Sequence, residues 1–342
     1  MAQVDLATTA RELVAPGKGI LAADESSGTM TKRLESVDVE STEENRRAYR
    51  EMLLTAPGAA EFISGVILYD ETIRQSSSDG VPFTKVLTDQ GVIPGIKLDT
   101  GAKPLAGSPD EKVTEGLDGL RERVAEYHEM GARFAKWRAV IEIDEAGLPS
   151  DYCIHANAHA LARYAAICQE GGLVPIVEPE VLMDGSHSIE RSYDVTTATL
   201  HAVFHELFEQ RVDPEGILLK PSMVMSGTDS SSQADVEEVA AATVRCMRAT
   251  VPAAVPGLVF LSGGQSDERA TGHLDAMNRL GGAPWELSFS YGRALIAAAL
   301  EAWRGEHGNS EAAQRIYVHR AGCNAAARSG SYSADMEAEL VA

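Results

Sequence analysis

The sequence predicts an α/β fold: a single (β/α)8 TIM barrel with an extra helix in its first unit and a last helix that leads into a short tail. Three observations carry this reading. Eight short, apolar, β-branched runs occur in order, at 17–24, 63–70, 92–98, 132–140, 173–180, 216–222, 257–262 and 285–291. Eight is the number of strands that closes a parallel barrel. Segments of helical spacing separate the runs, which is the pattern of parallel strands covered on both faces. Several runs also end on charged residues: LAADE near Asp24, VIPGIK at Lys97, FAKWR at Lys136 and Arg138, LVPIVEPE at Glu178 and Glu180, and GILLKP at Lys220. Charges rarely finish buried strands unless they do chemistry there, and ligands of parallel sheets bind beyond the carboxyl ends of the strands. Those charges therefore mark one site.

The elements follow in order. After the first run, TEENRRAYREMLLTA (42–56) is the extra helix, opened by Thr42 as a cap with Asn45 three residues on; its Glu and Arg residues read as a solvated face with intrahelical ion pairs. Apolar periodicity predicts helices at 117–131, 157–172, 235–251 and 293–305, and Gly131, Gly171 and Gly172 stand where helices must stop before the next strand. A helix over 310–328 follows the eighth run and feeds no further strand. The polar stretches 74–91, 100–116 and 223–234 read as loops, and none resembles an interdomain linker. With no internal repeat, residues 1–330 form one barrel domain and 331–342 a short acidic tail.

Composition bounds the function. A formal net charge of −21 over 342 residues repels polyanions, which excludes nucleic acid or an anionic membrane as the main partner. The four cysteines, Cys153, Cys168, Cys246 and Cys323, are far apart, without a CxxC, and fit reduced thiols in a reducing compartment. The N-terminal stretch lacks a basic start and an apolar core, and no apolar run approaches a membrane span, so a cytoplasmic location is expected.

Lys220 is the centre of the expected chemistry. Side chains alternate along a strand, so Lys220 shares the inward face of its strand with Leu218. A lysine of ordinary basicity is only ~0.04% neutral at pH 7, and a pKa lowered by ~3 units raises this to roughly 30%. A neutral buried amine is a Schiff-base nucleophile; a structural ion pair is the alternative for one lysine alone. Lys136 and Arg138 share the inner face of the fourth run, with Trp137 directed outward, and Lys136 could supply the cation for such a lowering. Glu178 and Glu180 share a face, with Pro179 between them offering no donor, as a strand end allows. A carboxylic acid in that mixed field can shuttle protons, and Asp24 at the end of the first run is a second base.

A phosphate ligand is expected between the last two runs. LSGGQS (261–266) and SFSYGR (288–293) each place a hydroxyl, glycine and a helix start after a strand, which suits an anion, and barrels often hold phosphate between these two loops. Ser262, Gly263, Gly292 and Arg293 are the candidates there, and Arg33, Lys97, Ser26 and Ser27 serve a second phosphate across the mouth. The pairs His155/His159 and His201/His205 have the i, i+4 spacing of helical zinc ligands, but neither ends a strand. They read as ordinary helix surface, and no metal or other cofactor is expected.

In this order, GKGILAADES, GIKLD, FAKWR, PIVEPE, LLKPSMV, FLSGGQS and FSYGRAL closely resemble the class I fructose-bisphosphate aldolases over about residues 11–330. The resemblance implies reversible cleavage of fructose 1,6-bisphosphate to dihydroxyacetone phosphate and glyceraldehyde 3-phosphate, in glycolysis and gluconeogenesis, by a homo-tetramer acting on a phosphosugar. It implies Lys220 as the Schiff-base lysine with Glu178, Lys136 and Asp24 handling protons. It also implies Ser262, Gly263, Gly292 and Arg293 at the 1-phosphate, and Ser26, Lys97, Arg138 and Arg33 at the rest of the substrate and its 6-phosphate. Thr29 stands where a serine is common. The tail, GSYSADMEAELVA, lacks the terminal tyrosine of animal and plant relatives and, being acidic, is expected to stay solvated. A transaldolase-like Schiff-base enzyme would share the lysine without needing two phosphate grips. A metal-dependent aldolase would need histidines at strand ends, and a non-catalytic phosphosugar-binding barrel would leave Lys220 with ordinary basicity.

Overall fold

The structure is a computed structural model that describes residues 5–341. Its strands are β1 (Gly19–Ala23), β2 (Ile63–Leu68), β3 (Ile93–Lys97), β4 (Gly101–Leu105), β5 (Ser108–Glu115), β6 (Phe134–Ile141), β7 (Val174–Val181), β8 (Leu218–Leu219), β9 (Gly257–Phe260) and β10 (Glu286–Tyr291). Strands β1-β10-β9-β8-β7-β6-β3-β2 form a closed parallel barrel. Each predicted run thus contributes one barrel strand.

Alternation sorts the side chains. Inward-facing Ile20, Ala22, Ile67, Phe134, Val174, Ile176, Leu218 and Val259 fill the lower barrel and join Ala10, Leu13 and Val14 in one buried cluster. The last three belong to, or directly follow, a helix at Leu6–Leu13 that closes the amino-terminal end of the barrel and was not among the predicted elements. Two glycines make room for this filling. A Cβ on Gly95 would lie 2.3 Å from the Phe134 ring, and one on Gly257 would lie 2.6 Å from Val14. Outward-facing residues meet the helix layer; Trp137 packs on Tyr164 of helix Asp151–Glu170 with ring centroids 5.4 Å apart.

The predicted extra helix is Glu43–Leu54, and its Thr42 side chain accepts from the Asn45 amide at 3.1 Å. The predicted helices 117–131, 157–172, 235–251, 293–305 and 310–328 are found at Leu120–Glu129, Asp151–Glu170, Val236–Thr250, Arg293–Trp303 and Ser310–Ala327. Two expected loops differ. Residues 100–116 form the antiparallel hairpin β4–β5, and 74–91 contains the helix Phe83–Asp89. The hairpin has mostly exposed, polar side chains, so hydrophobic alternation could not reveal it. Its buried Glu111 accepts from the Ser150 amide at 2.7 Å and from the Ser108 hydroxyl at 2.8 Å, tying it to the start of helix Asp151–Glu170.

The tail also differs from expectation. Tyr332 donates its amide to Asp275 at 2.9 Å and its hydroxyl to Glu337 at 2.9 Å, and Glu337 pairs with Arg320 of the last helix. Arg320 is only 6% exposed, and a cation so buried recruits the acid that composition alone assigned to solvent. None of the described helices is long and apolar enough to cross a membrane.

Candidate active site

The charged layer begins where the apolar filling stops. Along each inward face a charge follows the last hydrophobe: Asp24 after Ala22, Lys136 after Phe134, Glu178 after Ile176, and Lys220 after Leu218. Parallel register sets Lys97 beside Lys136, and Arg138 beside Glu178. Lys220 lies just past the short strand β8, and its amide still donates to Val177 at 2.8 Å.

These four residues form one chain of contacts. Lys220 Nζ lies 3.2 Å from Glu178 Oε1, Lys136 Nζ lies 3.3 Å from Glu178 Oε2, and Lys136 Nζ lies 2.7 Å from Asp24 Oδ2. Lys136, Glu178 and Lys220 are each 3–4% exposed. Two lysines thus face two carboxylates, the pairing that buried charges require. Burial works to raise the Glu178 pKa, but Lys136, Lys220 and Arg138 outweigh it and hold the carboxyl below its ordinary value. Asp24 is likewise held well below the carboxylate range, against burial, by Lys136, Lys220 and Lys97. Burial pushes the Lys136 ammonium down, yet Asp24, Glu178 and Asp99 raise it above its ordinary value. Lys136 is thus a fixed cation at neutral pH.

Above the cluster opens a cavity of about 240 Å3 whose lining includes Asp24, Ser26, Arg33, Lys97, Lys136, Arg138 and Gly292. Ser26 is the N-cap of helix Ser27–Glu35, but its hydroxyl makes no capping bond and instead meets Thr29 Oγ1 at 3.3 Å. A helix start with uncommitted N–H groups and two hydroxyls suits an anion. Barrel closure puts β1 beside β10, which seats Arg33 next to Gly292: a Cβ there would lie 3.9 Å from the guanidinium. Arg33 therefore stands on the side of the eighth-strand loop rather than across the mouth from it.

Ser262 and Gly263 line an adjoining narrow cleft with Glu180. Arg293 links the two loops by donating to the Gly263 carbonyl. Glu180 pairs with Arg138, so it holds that guanidinium instead of reaching the lysine cluster. The predicted residues thus gather at one end of the barrel: Asp24, Ser26, Arg33, Lys97, Lys136, Arg138 and Gly292 line the central cavity, Glu180, Ser262 and Gly263 line the side cleft, Glu178 joins through Lys136 and Lys220 through Glu178, and Arg293 bridges the two loops.

Further residues support the site without having been predicted. Asp99, buried, holds Lys97 at 3.2 Å and accepts from the Arg138 amide at 3.2 Å. Glu25 pairs with Arg33 and, at 2.5 Å, with buried Arg50. Gln265 donates to the Ser262 carbonyl at 3.0 Å while its oxygen meets His273 Nδ1 at 2.6 Å. Asp99 shares the GIKLD segment with Lys97 and Glu25 sits inside ADES, so position two apart or adjacent was the available signal; Arg50 and His273 lie on helices and gave none.

Fold and site together define a (β/α)8 barrel enzyme with a lysine–carboxylate cluster at the carboxyl ends of its strands. Comparison with known proteins makes this specific. Residues 5–341 match the family model of the glycolytic class I fructose-bisphosphate aldolases. A "Probable fructose-bisphosphate aldolase class 1" of Xanthomonas campestris is 61% identical over 96% of this chain and 98% of its own. The cytosolic fructose-bisphosphate aldolase 4 of Arabidopsis thaliana is 53% identical over 97% of this chain and 85% of its own. The structure of fructose-bisphosphate aldolase from Plasmodium falciparum, solved with TRAP and a small-molecule inhibitor, superposes with a TM-score of 0.96 at 50% identity, covering 97% of each chain. The chain belongs to the class I fructose-bisphosphate aldolase family, and its activity is that of a lyase.

Proposed function

We propose that Lys220 is the Schiff-base lysine through which this chain reversibly cleaves fructose 1,6-bisphosphate to dihydroxyacetone phosphate and glyceraldehyde 3-phosphate. The observation that carries this is Lys220 set 3.2 Å from Glu178, which in turn neighbours the fixed cation Lys136. The amine adds to the C2 carbonyl, and Glu178 passes protons so that the carbinolamine hydroxyl leaves as water. Asp24 takes the C4 hydroxyl proton as the C3–C4 bond breaks, releasing glyceraldehyde 3-phosphate and leaving an enamine on Lys220. A proton delivered to C3 by Glu178, or by water it holds, restores the iminium, and hydrolysis frees dihydroxyacetone phosphate. Lys136 keeps Asp24 ionised as the base and stabilises negative charge as it develops.

The phosphates are assigned by position. Ser262, Gly263, Gly292 and Arg293 hold the 1-phosphate, and Ser26, Lys97 and Arg138 receive the remainder and the 6-phosphate, with Arg33 between the groups. Glu180 orients Arg138. Residues 1–330 are the catalytic unit, acting in the cytoplasm, as two relatives named cytosolic do, and as a homo-tetramer.

The test is a coupled triose assay on Lys220→Met, with and without chelator. Loss of cleavage in a folded variant, together with wild-type activity that survives EDTA, supports the assignment. Activity retained in Lys220→Met would contradict it. Light scattering checks the assembly: a mass four times 36.5 kDa is expected, and a stable monomer at micromolar concentration would refute the tetramer.

A further inference from the structure

The last helix, Ser310–Ala327, carries His319 and Cys323 one turn apart on the same face. Glu337 of the tail folds back onto that face, so that one ligand atom from each of the three residues lies within 4.8 Å of the others. Cys323 Sγ and His319 Nε2 are 3.6 Å apart. Zinc holds thiolate sulfur at about 2.3 Å and imidazole nitrogen at about 2.0–2.1 Å, which at the tetrahedral angle separates the two ligand atoms by about 3.5 Å. The pair already spans one edge of a zinc tetrahedron.

We propose that His319, Cys323 and Glu337 bind a zinc-type divalent cation, with water in the fourth position, and that the ion fastens the tail to the last helix. The donor set decides the class of ion. Thiolate with imidazole and carboxylate suits zinc, whereas magnesium and calcium require oxygen ligands. The carboxylate is held in place for this use. One oxygen, Oε1, accepts from both Arg320 and the Tyr332 hydroxyl, leaving the other for the ion, and such outer partners are typical of ligating carboxylates. Cys323 is 1% exposed while His319 and Glu337 are partly exposed, so the ion enters from the solvent side and rests against buried sulfur. On binding, the thiol proton passes to solvent and a metal–sulfur bond forms, with no change of oxidation state. None of the three residues lines the catalytic cavity, and the cleavage reaction does not run through this site.

The full-length protein, stripped with chelator and kept reduced, is titrated with Co2+ and then with Zn2+. Expected are one equivalent of Co2+ with a thiolate-to-cobalt charge-transfer band in the near ultraviolet, tetrahedral bands in the visible, and displacement of both by Zn2+. Cys323→Ser abolishes the charge-transfer band, and Glu337→Gln weakens binding by about tenfold or more, the scale on which even outer partners act. His159→Ala controls for adventitious binding at the exposed His159–Glu206 pair and leaves the band unchanged. If Cys323→Ser fails to fold, His319→Ala and Glu337→Gln keep the test alive, because each weakens the Co2+ affinity read from the same band by about tenfold or more. A titration without the charge-transfer band, a band that persists in Cys323→Ser, or a Co2+ affinity unchanged in His319→Ala and Glu337→Gln overturns the proposal. Aldolase activity measured in chelator reports on Lys220 alone, so the two assignments fail separately.

Discussion

Glu178 stands between two lysines, with one carboxylate oxygen 3.2 Å from Lys220 and the other 3.3 Å from Lys136. Both contacts come from inward-facing positions on adjacent parallel strands, so the geometry is set by register rather than by flexible loops. One acid is thereby shared between the proposed nucleophile and a permanent cation.

Glu178→Gln keeps shape but cannot transfer protons. Positioned acid–base groups contribute about 10^2–10^4-fold, so kcat is expected to fall by that order with KM little changed. Rapid-mix product assays check this; a fall in affinity with kcat intact would assign Glu178 to binding instead.

Arg293 donates to the Gly263 carbonyl of the seventh-strand loop, and Arg33 lies beside Gly292 of the eighth-strand loop. Charge-assisted hydrogen bonds are worth about 1.5–3 kcal/mol, so Arg293→Ala should raise KM for fructose 1,6-bisphosphate by about tenfold or more. Steady-state kinetics decide, and an unchanged KM would remove Arg293 from the phosphate site.

His273 is fully buried, and desolvation, aided by Arg269, lowers its pKa to about 4. Gln265 donates its amide to Ser262, so its oxygen accepts from a neutral His273 Nδ1–H. The unfolded chain binds the proton near pH 6.5 and the folded chain only near pH 4, so stability is full above about pH 6.5 and is lost as pH falls toward 4. The loss amounts to about 3 kcal/mol. Thermal melts between pH 7 and 4.5 should show this slope, and His273→Asn should flatten it. Depressed carboxylates such as Glu178 and Asp24 lose their contribution only at lower pH, below the ordinary carboxylate range.

Arg320 donates to the Asp267 carbonyl at 3.2 Å and the Ala294 carbonyl at 3.4 Å, at the starts of helices Asp267–Leu280 and Arg293–Trp303, which follow the proposed phosphate loops. Its carboxylate partner is Glu337. Deleting residues 333–342 leaves a buried guanidinium without that partner, which costs about 1–3 kcal/mol. A lower Tm is expected, with KM for the bisphosphate moving more than kcat. Unchanged Tm and KM would show the tail to be energetically separate.

The strand alternation that placed Lys136, Arg138, Glu178 and Lys220 on inner faces is a local property, so their convergence was legible from the chain. Partners supplied by closure were not. Arg33 lies beside Gly292 because the first and last strands pair, a contact between residues 259 positions apart. The hairpin β4–β5 escaped because its faces are mostly polar, and the helix Leu6–Leu13 because its apolar residues serve the barrel floor rather than the helix layer. The docking of Glu337 depended on Arg320, whose burial no composition of the tail reveals.

The most direct test of Schiff-base chemistry at Lys220 is mass spectrometry after borohydride reduction in the presence of dihydroxyacetone phosphate. The account predicts a single reduced adduct on the peptide containing Lys220, absent from Lys220→Met. An adduct on Lys136 or any other lysine, or no adduct from an active preparation, would contradict it.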